Sequence, residues 1–136
     1  NKKISIHEET FSELPKNWHN EILFKKWEKL LSFRQEVNIA IEEKRSKKII
    51  GSSLESDVKI SLSQKDYEIL NSVDAEELFI TSNVTKIVQD DIKDKFSISV
   101  KKADGTKCTR CWKIIPSTNI KKCSRTKICP LQNVGK

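Results

Sequence analysis

The run Leu23-Phe24-Lys25-Lys26-Trp27-Glu28-Lys29-Leu30-Leu31-Ser32-Phe33-Arg34-Gln35-Glu36-Val37-Asn38-Ile39-Ala40-Ile41 decides the first half of the fold. Leu23, Trp27, Leu30, Leu31, Val37, Ala40 and Ile41 recur at helical spacing, while Lys26, Lys29, Glu36, Glu43 and Lys47 fall on other faces. The pattern predicts one helix from about Asn20 to Lys48. Asn17 or Asn20 supplies the cap at its start, and Gly51 supplies the left-handed residue that stops it. Such a helix runs about 40 Å, a length typical of helical bundles. Upstream, residues 1–16 read as an extended surface segment closed by Pro15.

After Gly51-Ser52-Ser53 the hydrophobic period changes to two. Val58, Ile60 and Leu62 alternate with Asp57, Lys59 and Ser61, the pattern of a half-buried strand. Gln64 to Ser72 reads as a short helix capped by Ser63. Glu77-Leu78-Phe79-Ile80-Thr81 and Phe96-Ser97-Ile98-Ser99-Val100 read as two further strands, and Val84 to Asp94 fits neither class clearly. The expected fold class is therefore α+β in three parts. Residues 1–50 form a linker and the last helix of a bundle, 51–103 a small α+β unit with a short sheet, and 104–136 a zinc-finger-like module.

Charge is distributed just as unevenly. Residues 101–136 hold eight lysines and two arginines against the single acid Asp104, a net +9 in a chain whose total is +7. Residues 51–100 carry five bases and ten acids. No apolar run approaches the ~20 residues of a membrane helix, and no signal peptide is visible, so a soluble, cytoplasmic protein is expected. The chain contains no methionine and is expected to be a piece of a longer protein.

All four cysteines, Cys108, Cys111, Cys123 and Cys129, lie in the basic segment. In a protein without a secretory signal they read better as metal ligands than as disulfides. Cys108-Thr109-Arg110-Cys111 has knuckle spacing: two intervening residues let both sulfurs converge on one ion while backbone amides stabilise the thiolates. The leading reading is a single structural Zn²⁺ held by Cys108, Cys111, Cys123 and Cys129. The rival reading is a degenerate knuckle, because Gln132 stands three residues after Cys129 where a second Cys-x-x-Cys pair would end.

Trp112 is either a stacking platform for a base or the cover of the metal site, and Arg110 and Lys113, which flank it, are expected to contact phosphates. A cationic surface this dense favours a polyanion, and nucleic acid above all. On the long helix, Arg34, Asn38 and Arg45 share a face with Ile41 and would line one groove; Arg34 and Arg45 would clamp phosphates while Asn38 meets a base edge. The bland alternative is that the two arginines pair with Glu42 and neighbouring acids.

No catalytic signature is present. The three glycines do not form a phosphate loop, and His7 and His19 have no accompanying nucleophile. Glu42 and Glu43, adjacent on a helix, do not face each other. Four thiolates would also leave no open position on a metal for a hydrolytic water.

Trp27 to Arg45 followed by Lys48-Ile49-Ile50-Gly51-Ser52-Ser53-Leu54-Glu55 resembles the C-terminal region of bacterial isoleucyl-tRNA synthetases. There an Arg-x-x-Val-x-x-Ala-x-Glu helix of the anticodon-binding bundle leads into an Ile-Gly-Ser-Ser-Leu-Glu turn. Ser5-Ile6-His7 and Leu14-Pro15 resemble the linker into that helix. Lys107-Cys108-Thr109-Arg110-Cys111-Trp112-Lys113 and Ile128-Cys129-Pro130 resemble the two halves of the family's terminal zinc finger, with Gln132 departing from it. The resemblance implies a catalytically silent fragment of a monomeric ligase. It would position the anticodon region of tRNA(Ile), while the rest of the synthetase chain, using ATP and Mg²⁺, performs aminoacylation. A stand-alone, zinc-stabilised basic module that binds RNA or protein is the alternative.

Overall fold

The structure, a computed structural model, describes residues 5, 7, 10, 12–89 and 96–116. A short 3-10 turn at Lys16–Trp18 follows Pro15 and leads into helix α1, Glu21–Ser46. The Asn20 side chain accepts a hydrogen bond from the Leu23 N–H at 3.0 Å, so Asn20 is the cap. The helix stops differently from expectation. Lys48 takes the left-handed conformation (φ 56°), with Ile49 N–H donating to Lys44 O and Lys48 N–H to Arg45 O. This paired 6→1 and 5→2 bonding is a Schellman turn, closed by a lysine three residues before the glycine expected to do it. Gly51 instead donates its N–H to the Glu55 carboxylate at 2.9 Å.

The buried stripe of α1 is Leu30, Phe33, Val37 and Ile41, spaced three, four and four residues apart. Leu23, Trp27 and Leu31, expected in the same apolar face, are exposed, as are Ile22, Phe24 and Ile39. The helix is apolar on more of its circumference than its one packed face uses, which is why spacing alone did not single out Phe33. That ring meets Phe96 edge-on, with centroids 5.1 Å apart and planes at 89°. The Lys29 ammonium lies 5.4 Å from the Phe33 centroid and pairs with Asp66.

Strand β1, Ser56–Leu62, is the middle of a three-stranded sheet of order β2-β1-β3. Ser56, Val58, Ile60 and Leu62 are all fully buried. Helix α2, Gln64–Asn71, starts at the Ser63 cap, whose Oγ accepts from the Asp66 N–H. The next element, α3, is a helix over Ala75–Phe79, not the strand expected at Glu77–Thr81. Asp74 caps it, its Oδ1 accepting from Glu77 N–H at 3.0 Å, and Ile80 ends it in the left-handed region. Capping outweighs the strand preference of Leu-Phe-Ile-Thr here, and Ala75 and Phe79, one turn apart, face the core.

The unassigned stretch after Val84 begins with β2, Asn83–Val88, which pairs parallel to β1 with Val58 beside Val84. A parallel partner requires a crossover, and α2 and α3 provide it. On the other side β3, Ser97–Lys102, runs antiparallel, placing Val100 beside Val58 and Ile98 beside Ile60. Helix α1 lies against β3, α2 and α3, so sheet and helices enclose one core. Beyond β3 a two-stranded hairpin, β4 Thr106–Lys107 and β5 Ile114–Ile115, carries the first cysteine pair.

Two tests follow from this packing. Phe33→Ala should destabilise the chain by about 3–5 kcal/mol in urea unfolding, whereas Leu31→Ala should stay within about 0.5 kcal/mol. Glu55 is the second test. Its carboxyl is held below the usual range first by the Gly51 N–H and then by the Lys107 ammonium. A depressed carboxyl stabilises the fold at neutral pH, and that contribution disappears as the pH falls through roughly 5 to 3. Thermal melts of Glu55→Gln should therefore show a flatter acid limb than those of the parent chain.

Candidate functional site

Two surfaces hold the residues singled out for binding. On α1, Arg34 and Asn38 line a shallow open groove of about 520 Å³ together with Leu31, Gln35, Ile39 and Glu42. Position 41 turns away into the core. Arg45 does not line this groove. Its guanidinium forks onto Glu42, Nε to Oε2 at 2.8 Å and Nη2 to Oε1 at 3.0 Å. The Glu42 carboxyl is lowered chiefly by that hydrogen bond. Exposed on both sides, the pair orders side chains more than it stabilises the helix. The groove thus combines an arginine, two amides and an apolar floor. Gln35 and Ile39 are members that charge and periodicity did not mark.

The second surface is the cysteine hairpin. Gly105 makes it possible: its φ is 141°, and a Cβ there would lie 2.2 Å from the Ile115 carbonyl oxygen. Between the strands the chain folds into a tight turn, with Cys108 N–H donating to Lys113 O and Trp112 N–H to Cys108 O, both at 2.9 Å. Cys108 is fully buried, and Cys111 packs beside it against Ile115 in a small cluster separate from the main core. Both sulfur-bearing residues therefore sit on one side of a closed turn, which fits half of a tetrahedral thiolate site. Cys123 and Cys129 lie outside the described residues. Among the described residues no group of three or more metal-ligating side chains converges.

Trp112 occupies the left-handed region at φ 63°, which tryptophan rarely enters. The reversal sends successive side chains in opposite directions. Trp112 is 62% exposed, and Arg110 is exposed with it. Lys113 turns inward to 8% exposure, its Nζ 3.3 Å from Glu77 Oε1 and 3.7 Å from Glu76 Oε2. Ile114 N–H donates to Ser82 Oγ at 2.6 Å, and the same hydroxyl donates to Leu54 O. Lys107 reaches Glu55. Sequence reasoning missed these acceptors, although the Asp74-x-x-Glu77 spacing, a capping signature, was available to place them on a helix. No helix among the described residues is long and apolar enough to cross a membrane.

No family model matches the chain. Among curated proteins it is 43% identical over 121 residues, 89% of its length, to an isoleucine–tRNA ligase of Pelagibacter ubique. It is 39% identical over 127 residues, 88% of its length, to an isoleucine–tRNA ligase of Petrotoga mobilis. An isoleucine–tRNA ligase of Staphylococcus epidermidis is 38% identical over 120 residues, 82% of the chain. The matched part is 13%, 14% and 13% of those proteins, respectively. With its long capped helix, mixed sheet and cysteine hairpin, the chain belongs to the isoleucine–tRNA ligase family, as a segment spanning about an eighth of its relatives' length.

Proposed function

We propose that this chain is the C-terminal, tRNA-holding part of a cytoplasmic, monomeric isoleucine–tRNA ligase. The observation that carries the reading is its similarity to such ligases over more than four fifths of its length. The ligase joins isoleucine to its tRNA with ATP and Mg²⁺ in domains outside this segment. The segment contributes position, not chemistry. It holds the anticodon region so that the acceptor end meets the distant active site, raising the effective concentration of the reacting ends.

Two surfaces support that role. The outward Trp112 ring beside Arg110 offers a flat π-face and a cation to an unpaired base and its phosphate. Along α1, Arg34 and Asn38 offer a phosphate clamp and a base-edge amide over an apolar floor, with Arg45 at the end of the same helix braced by Glu42. One structural Zn²⁺ held by Cys108, Cys111, Cys123 and Cys129 would close the hairpin below Trp112. With so small an apolar cluster of its own, that turn gains most of its rigidity from such a centre.

Titration with tRNA(Ile) in competition with an unrelated tRNA tests the reading. The isoleucine tRNA should compete better, Trp112→Ala should remove roughly 1–3 kcal/mol of affinity, and the chain alone should form no isoleucyl-adenylate. Equal competition by both tRNAs would instead leave a generic basic module. Elemental analysis should find one zinc per chain, reduced in Cys108→Ser; a folded, zinc-free parent chain would remove the metal from the proposal.

A further inference from the structure

We infer that Lys113 is a positioning residue: clamped by Glu76 and Glu77, it fixes the direction in which the cysteine turn presents Arg110 and Trp112. The inference rests on the tRNA-holding reading of that turn, but its structural half stands without it. Lysine is seldom buried unless paired, and here the side chain keeps only 9% of its surface while two carboxylates on the first turn of α3 receive its ammonium. A phosphate could reach Nζ only after that pairing broke.

The way the hairpin is attached makes the clamp consequential. Cys108, Cys111 and Ile115 form a cluster of their own, distinct from the core built on α1 and the sheet. Polar ties among the described residues join the hairpin to the body: Ile114 N–H to Ser82 Oγ, Lys107 to Glu55 and Lys113 to α3. Lys107 is half exposed and 3.5 Å from its partner, a weak tie in water. Lys113 is the enclosed one. It is also adjacent in sequence to Trp112, within a turn closed by the Cys108 N–H to Lys113 O bond. Holding residue 113 inward therefore holds residue 112 outward.

Charge-altering variants of the full chain separate clamp from phosphate contact. Affinity for tRNA(Ile) is measured across a salt series, and amide hydrogen exchange is followed at Cys108 and Ile114. For a clamp, Lys113→Gln and the double variant Glu76→Gln/Glu77→Gln both speed exchange at these amides by about tenfold or more. Both weaken tRNA binding by similar factors with parallel salt dependence, and the swap Lys113→Glu/Glu77→Lys restores the amides. For a phosphate contact, Lys113→Gln would lower the salt slope by about one with exchange unchanged, and removing the two carboxylates would tighten binding. That second pattern, or unchanged exchange in both charge-removing variants, overturns the inference. A parent chain that binds no tRNA while these amides loosen would sink the tRNA reading and leave the clamp in place.

Discussion

Burial of the inward row of β1 and of the Leu30–Phe33–Val37–Ile41 stripe of α1 in one shared core is the constraint on which the remaining structure depends. Among the described strands β1 alone has a neighbour on each side, so its register fixes both β2 and β3. A slip of one residue would turn Val58, Ile60 and Leu62 outward and put Asp57, Lys59 and Ser61 into the core. The Schellman turn at Lys48 serves that register. It reverses the chain tightly enough for Ile50 to enter the core and for Glu55 to close over Gly51, which sets where β1 begins. Both ends of β1 are continued by backbone bonds: Ala103 N–H donates to Glu55 O, and Gln89 N–H to Leu62 O.

Much of this was legible in the sequence, and the parts that were not share a physical cause. The caps Asn20 and Ser63 and the alternation of β1 are local signals, decided within a few residues, and they hold. Helix α3 is five residues long, too short for periodicity to show, and its Leu-Phe-Ile-Thr run satisfies a strand equally well. Only the Asp74 cap breaks the tie. Strand β2 was ambiguous because an edge strand half covered by helices carries no strict alternation, and its intermediate burial reflects that. The stop of α1 went to Lys48 over Gly51 because the Schellman bonds must fall on the residue immediately past the last turn, whatever its identity. A side chain in that conformation costs about 1 kcal/mol, which those bonds and the burial of Ile50 offset.

The candidate surfaces divide along the same line. Cys108, Cys111, Arg110 and Trp112 could be nominated from the sequence because ligand spacing and the aromatic–basic neighbourhood are local, and the structure places all four on one tight turn. The groove on α1 was readable in both of its possibilities: helical geometry places Arg34 and Asn38 together, and the alternative pairing with Glu42 is the one that holds for Arg45. The inward turn of Lys113 was unreadable, since Glu76 and Glu77 are 36 and more residues away and became acceptors only once α3 formed.

The charge asymmetry of the chain then acquires a second meaning. The acidic middle segment is more than a counterweight to the basic tail: Glu55, just before β1, and Glu76 and Glu77 on α3 receive Lys107 and Lys113 and tie the hairpin to the α+β body. Cations so engaged contribute to placement and add little to the field outside the protein. Arg110 and the ring of Trp112 remain on the outer side of the same turn, where the left-handed backbone at residue 112 has put them. Within this six-residue turn, Cys108 and Lys113 are buried while Thr109, Arg110 and Trp112 stay exposed, so the residues that attach the hairpin are distinct from those it presents to solvent. If the turn holds tRNA as proposed, each residue's contribution would follow from the side it faces, Lys113 through placement and Arg110 and Trp112 through contact, and not from its charge alone.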